Sequence, residues 1–110
     1  MDQILKDKVA IITGGSSGMG RAGVELFAKA GCQSIIADIN EKEGNNIKKF
    51  LIEKNLKADF FYTDVTNSKN VQETVKEVSN KYGKIDILFH NAVDVPLVNN
   101  HDKRITELSD

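Results

Sequence analysis

Apolar and polar positions alternate along the chain in two kinds of block. Val9-Ala10-Ile11-Ile12, Ser34–Ala37, Ala58–Tyr62 and Ile85–Phe89 are short, mostly apolar and rich in β-branched or aromatic residues, which predicts buried strands. Between them, apolar residues recur at three- and four-residue spacing, as on amphipathic helices. The first helix is predicted from about Gly18 to Ala30, with Met19, Ala22, Gly23, Leu26, Phe27 and Ala30 facing inward and Gly31 as a left-handed cap. The second covers Glu41 to Lys54, with Asn40 as N-cap and Ile47, Phe50 and Leu51 inward. Val71, Val75, Val78 and Tyr82 mark a third, capped by Ser68 or Asn67 and stopped at Gly83.

Strands that alternate with helices imply right-handed crossovers and a parallel sheet covered on both faces. The expected fold class is therefore α/β, a Rossmann-type three-layer α/β/α arrangement with about four parallel strands in the order 3-2-1-4. Its ligand crevice falls between strands 1 and 4, where the winding direction reverses. Beyond Ala92 the pattern dissolves. Residues 93–110 are mostly polar, and Ser109-Asp110 resembles the start of a helix that is not reached. Ile85–Phe89 is also too apolar for a bare edge strand. The expectation is a half-domain over residues 1–92 with a polar tail over 93–110, cut short before its remaining strands or completed by another chain.

Bulk properties narrow the classes. The 110 residues suit one domain, and 40% hydrophobic with 28% charged residues suits a globular chain. A net charge of −1 argues against a nucleic-acid partner. The single cysteine, Cys32, excludes an intrachain disulfide and fits a reducing compartment. With no apolar stretch of membrane-spanning length and no signal-peptide core after Met1, the expected location is cytoplasmic.

The candidate chemistry sits at the first strand-to-helix turn, Thr13-Gly14-Gly15-Ser16-Ser17-Gly18-Met19-Gly20. A glycine-rich turn there lets backbone approach a pyrophosphate and aims free helix N–H groups at it. A nucleotide triphosphate loop is excluded, because Arg21 and Ala22 follow Gly20 where Lys and Ser or Thr are needed. Eighteen residues past Gly20, Asp38 closes the second strand, where a carboxylate can accept hydrogen bonds from ribose hydroxyls.

These features together resemble the short-chain dehydrogenase/reductase family. Thr13, Gly14, Gly18 and Gly20 match its Thr-Gly-x-x-x-Gly-x-Gly signature; Asp64-Val65 match its Asp-Val pair after the third strand; Asn91-Ala92-Val93 match its Asn-Ala-Gly segment with the glycine replaced. The resemblance covers roughly residues 6 to 92. It implies cofactor contacts from Thr13, Gly14, Ser16, Ser17, Gly18, Met19 and Gly20 in the turn, from Asp38 and Ile39, from Asp64 and Val65 at the adenine, and from Asn91 and Ala92. Asp38 would repel a 2′-phosphate, and neither Ser16-Ser17 nor Ile39 is basic, so NAD is expected over NADP. Val93 adds β-branched bulk where the family has glycine. The family's catalytic Tyr-x-x-x-Lys has no counterpart: Thr66 follows Tyr62 at that spacing and Asp86 follows Tyr82. No catalytic residue is carried over.

Plainer roles stand beside these. Asp64 could serve only as a turn residue, Asn91 could bond the sheet edge, and Thr13 could stabilise the turn through its hydroxyl. His90, His101 and Asp102 have no metal-ligand spacing, so no metal is expected. Cys32 reads as a small buried residue, and Lys42, Lys48, Lys49 and Lys54 as a solvated helix face. Three functions follow. The chain is the NAD-binding part of an oxidoreductase, moving hydride to or from a carbonyl or alcohol if completed; or a non-catalytic dinucleotide-binding or self-associating fragment, a homo-oligomer in the latter case; or a fragment without an independent role.

Overall fold

The computed structural model describes residues 4–16 and 18–90. Four strands, β1 (Val9–Thr13), β2 (Gln33–Asp38), β3 (Ala58–Tyr62) and β4 (Ile87–His90), alternate with helices α1 (Gly18–Lys29), α2 (Glu41–Glu53) and α3 (Ser68–Tyr82). All pairings are parallel, in the order β3-β2-β1-β4. This is the expected Rossmann-type sheet. The chain moves outward from β1 through β2 to β3, then returns to the other side of β1. The reversal leaves a crevice at the carboxyl ends of β1 and β4. No described helix is long and apolar enough to cross a membrane.

Alternate residues of each strand feed two cores. Ala10, Ile12, Ile36 and Ala58 pack with Val24 and Ala28 of α1 and Ile47 and Leu51 of α2. On the opposite face Val9, Ile11, Ile35 and Ala37 pack with Val78 of α3, joined by Phe61, Tyr82 and Ile85. The helix ends have local causes. Asn40 Oδ1 accepts from the Glu43 amide at 3.1 Å to start α2. Asn67, rather than Ser68, caps α3, accepting from the amides of Lys69 and Asn70. Gly83 ends α3 in the left-handed conformation.

Three inward faces differ from the sequence pattern. In α1 the buried residues are Gly20, Val24 and Ala28, with Phe27 beside them, while Met19 is 72% exposed and Leu26 and Ala22 face outward. Small residues let α1 sit so close to the sheet that Ser34 Oγ donates to the Val24 carbonyl at 3.2 Å. Hydropathy ranks Met and Leu above Gly and does not register this advantage. In α2 Phe50 is 40% exposed and lies under the Lys54 ammonium, 4.5 Å from the ring centroid. In α3 Val75 turns outward and Thr74 is buried, its hydroxyl 2.7 Å from that of Thr63. A matched hydroxyl pair satisfies itself inside the core, which a hydrophobicity pattern cannot anticipate.

The fourth strand begins later than Ile85. Asp86 is committed to the start of β1: its amide donates to the Val9 carbonyl at 2.8 Å, and its carboxylate accepts from the Val9 amide at 2.9 Å. Ile85 packs into the α3-side core from outside the strand.

Gly44 is the tightest helix–sheet contact. It is buried in α2, and a Cβ there would run into the Phe60 ring of β3. Gly44→Ala gains about 1 kcal/mol of helix propensity but overpacks an aromatic ring, at a cost of about 1–3 kcal/mol. Net destabilisation of about 1 kcal/mol is expected in urea unfolding. A more stable variant would show that Phe60 moves aside freely.

Candidate functional site

The turn after β1 is shaped by backbone. Gly14 and Gly18 both adopt positive φ, 66° and 46°, a region that strains residues with a Cβ. The Gly14 amide donates to the Ala37 carbonyl at 2.9 Å, which ties the turn to the end of β2. Gly15 is the crowded position. A Cβ there would lie 3.0 Å from Val24 and 3.1 Å from both the Ile12 carbonyl and Ile36. Gly20 is buried in the first turn of α1, and that turn holds no acidic residue. By contrast, α2 carries Glu41 and Glu43 in its first turn. The positive end of the α1 dipole is therefore not neutralised from within its own helix.

Asp38 is the charged group of this region. Its Oδ2 accepts from Ser16 twice, from Oγ at 2.5 Å and from the amide at 3.1 Å. Its Oδ1 accepts from the Asn40 amide at 3.0 Å. Partial burial pushes its pKa up, but the hydrogen bonds from Ser16, Asn40 and Ile39 outweigh that and hold it below the ordinary value. The carboxylate is ionised at neutral pH. No salt bridge reaches it among the described residues.

Thr13 lies opposite His90 in the β1–β4 register, and its hydroxyl is 3.0 Å from His90 Nδ1. That contact joins the two strands flanking the crevice. Asp64 follows β3 and forms a local turn, accepting at Oδ1 from the Thr66 amide at 3.0 Å and its hydroxyl at 2.6 Å. The Thr66 hydroxyl and amide hold its pKa below the ordinary value. Val65 beside it is half-buried. The loop is fixed from α3, since Asn70 Oδ1 accepts from the Asp64 amide at 2.7 Å. Ile39, next to Asp38, is 57% exposed. Ser17, Asn91, Ala92, Val93 and the tail over residues 93–110 lie outside the described residues.

The fold thus brings the glycine turn, Ser16 and Asp38 together at the carboxyl ends of β1 and β2, with Asp64 at the end of the adjacent β3. Sequence reasoning passed over three contributors. Gly15 could have been found as a second glycine beside Gly14. Asn40, expected only as the N-cap of α2, also donates its amide to Asp38, and Asn70 acts through a side-chain carbonyl that no spacing rule singles out. Among the described residues no group of His, Cys, Asp and Glu could hold a metal ion. Burial, chiefly, pushes the Cys32 thiol up to about 11, which leaves it unreactive.

The sequence profile of the short chain dehydrogenase family matches residues 8–110. The chain belongs to that family. Short-chain dehydrogenase reductase 3b of Arabidopsis thaliana is 41% identical over 105 residues, covering 94% of this chain and 40% of that protein. Secoisolariciresinol dehydrogenase of Forsythia intermedia is 38% identical over 88 residues, covering 80% of this chain and 31% of that protein. Among solved structures, a hydroxysteroid dehydrogenase from Escherichia coli superposes with a TM-score of 0.79 at 30% identity, over 97% of this chain and 45% of that one. The chain spans less than half the length of each of these relatives. Short-chain dehydrogenases use nicotinamide cofactors.

Proposed function

We propose that residues 1–92 form the cofactor-holding part of an oxidoreductase, that they bind NAD in preference to NADP, and that hydride passes between the nicotinamide and a small carbonyl or alcohol substrate. The observation that carries this reading is Asp38, ionised, held beside the glycine turn by both donors of Ser16, and without a cationic partner among the described residues. Such a carboxylate suits two ribose hydroxyls and repels a phosphate. The pyrophosphate would rest on the turn and the α1 N-terminus, which has no acidic residue of its own to compete with it. Ile39, Asp64 and Val65 would line the adenine end, and Thr13, Ser17, Met19, Asn91 and Ala92 would complete the contacts.

When bound, the nicotinamide supplies or accepts the hydride. The residues described here bind and orient. Neither tyrosine has a lysine four residues on, and the Tyr82 hydroxyl is donated to Asp59, far along the sheet from the crevice. With Tyr82 committed to Asp59, the second reading is that the described residues bind a dinucleotide without turning it over. The lone buried thiol of Cys32 fits a reducing compartment such as the cytoplasm.

Titration with NADH and NADPH, followed by cofactor fluorescence, tests the binding. NADH should bind more tightly, by about tenfold or more. A preference for NADPH, or no response at millimolar NADH, would overturn it. Oxidation of NADH by the purified chain with carbonyl substrates would eliminate the second reading.

A further inference from the structure

A cleft of about 310 Å³ opens at the other end of the sheet, at the amino ends of β2 and β3. Gln33 begins β2 and lines this cleft, whereas Asp38 ends the strand, so the two sites are separated by roughly 17 Å of strand. Ile52, Leu56 and Ala58 are the aliphatic residues of its lining. Three lysines, Lys48, Lys57 and Lys81, also line it.

The lysines are not balanced. Lys48 and Lys81 share one carboxylate, Asp59, at 3.3 Å and 2.8 Å. Asp59 is 6% exposed and also accepts from the Tyr82 hydroxyl and the Phe60 amide. Lys57 forms no ion pair with any described residue. The lining therefore carries three positive charges against one negative, beside the aliphatic side chains of Ile52, Leu56 and Ala58. Its lining includes the last turns of α2 and α3, through Ile52 and through Lys81 and Tyr82. An anion with an apolar body can use both the lysines and the apolar side chains, whereas inorganic phosphate has nothing to place on Ile52, Leu56 and Ala58.

We propose that this cleft is a second ligand site, for a small amphipathic monocarboxylate whose hydrocarbon part lies on Ile52, Leu56 and Ala58 and whose carboxylate meets Lys57 and the Lys48–Lys81 pair.

Octanoate is the probe, titrated into the 15N-labelled chain, with octanol, inorganic phosphate and a Lys57→Gln variant as comparisons. Saturable shifts of the Leu56, Ala58 and Tyr82 amide signals are expected with octanoate. Lys57→Gln should weaken that binding about tenfold, and Lys57→Arg should preserve it. Lys57 is exposed, so both variants should keep the remaining spectrum. Equal binding of octanol, tighter binding of phosphate, or an unchanged affinity in Lys57→Gln would each overturn the proposal.

Discussion

Asp38→Asn is expected to weaken NAD binding by about 10- to 100-fold, the worth of one or two hydrogen bonds to an ionised acceptor. The amide keeps the shape of the side chain but loses the charge and one acceptor oxygen. NADPH binding should stay level or improve, because the repulsion toward a 2′-phosphate disappears. The ratio of the two affinities is therefore the most sensitive readout, measured by parallel titrations. An unchanged NAD affinity would remove Asp38 from the site. The wild-type dependence on pH has a defined sign. The folded-state pKa of Asp38 is depressed by Ser16, Asn40 and Ile39 despite partial burial, so the charge persists through mildly acidic pH. Affinity should hold from neutral pH to about pH 5 and fall only as pH drops through the lowered value.

Asp59→Ala should cost about 2–3 kcal/mol of stability, with a fall in Tm of about 10 °C for a domain of this size. Asp59 lies on β3, an edge strand in the described sheet, and holds Lys48 from α2 and Lys81 from α3. It thus clasps the helices of both faces around one edge, and it blunts that edge against pairing with another chain. Burial pushes its pKa up, but the hydrogen bonds from Lys81, Tyr82, Phe60 and Lys48 prevail and hold it at about 2. This is a depressed carboxylate. Its contribution is present above the unfolded value near pH 4 and is lost as pH falls toward 2. The difference between wild type and variant, from urea midpoints, should therefore shrink over that interval. Tyr82 gives the alkaline counterpart: burial and the bond to Asp59 push its phenol up to about 12. Stability linked to the protonated phenol is present below about pH 10 and declines as pH rises through 12. A phenol that titrates near 10 in the folded wild type, by ultraviolet difference absorbance, would contradict the clasp.

Much of the architecture is visible in the pattern of residues. Ala58–Tyr62 forms the third strand with the bounds its apolar run predicts, and Glu41 begins the second helix behind Asn40. The order β3-β2-β1-β4 is the one that the alternating, doubly wound pattern predicts without side-chain detail. Faces were harder to read. Met19 and Leu26 looked inward by hydropathy, yet Gly20, Val24 and Ala28 face the sheet, because close approach favours small residues. Lys48 reads as one of a solvated row with Lys42 and Lys49, yet it reaches Asp59 around the edge of β3. Its partner is eleven residues away in sequence and on another element, beyond any local spacing rule.

The candidate site divides along the same line. Glycines at 14, 18 and 20 with an aspartate closing the next strand are local features, set by what a tight turn and a strand end require of the backbone. That Ser16 grips Asp38 with two donors, that Asn70 braces the Asp64 loop, and that Thr13 meets His90 across the crevice depended on strands and helices brought together from distant parts of the chain. Local preferences act over a few residues and write themselves into the order of amino acids. Carboxylate charge, hydroxyl pairing and the balance of the lysine cleft depend on distances across the sheet, and only packing creates those.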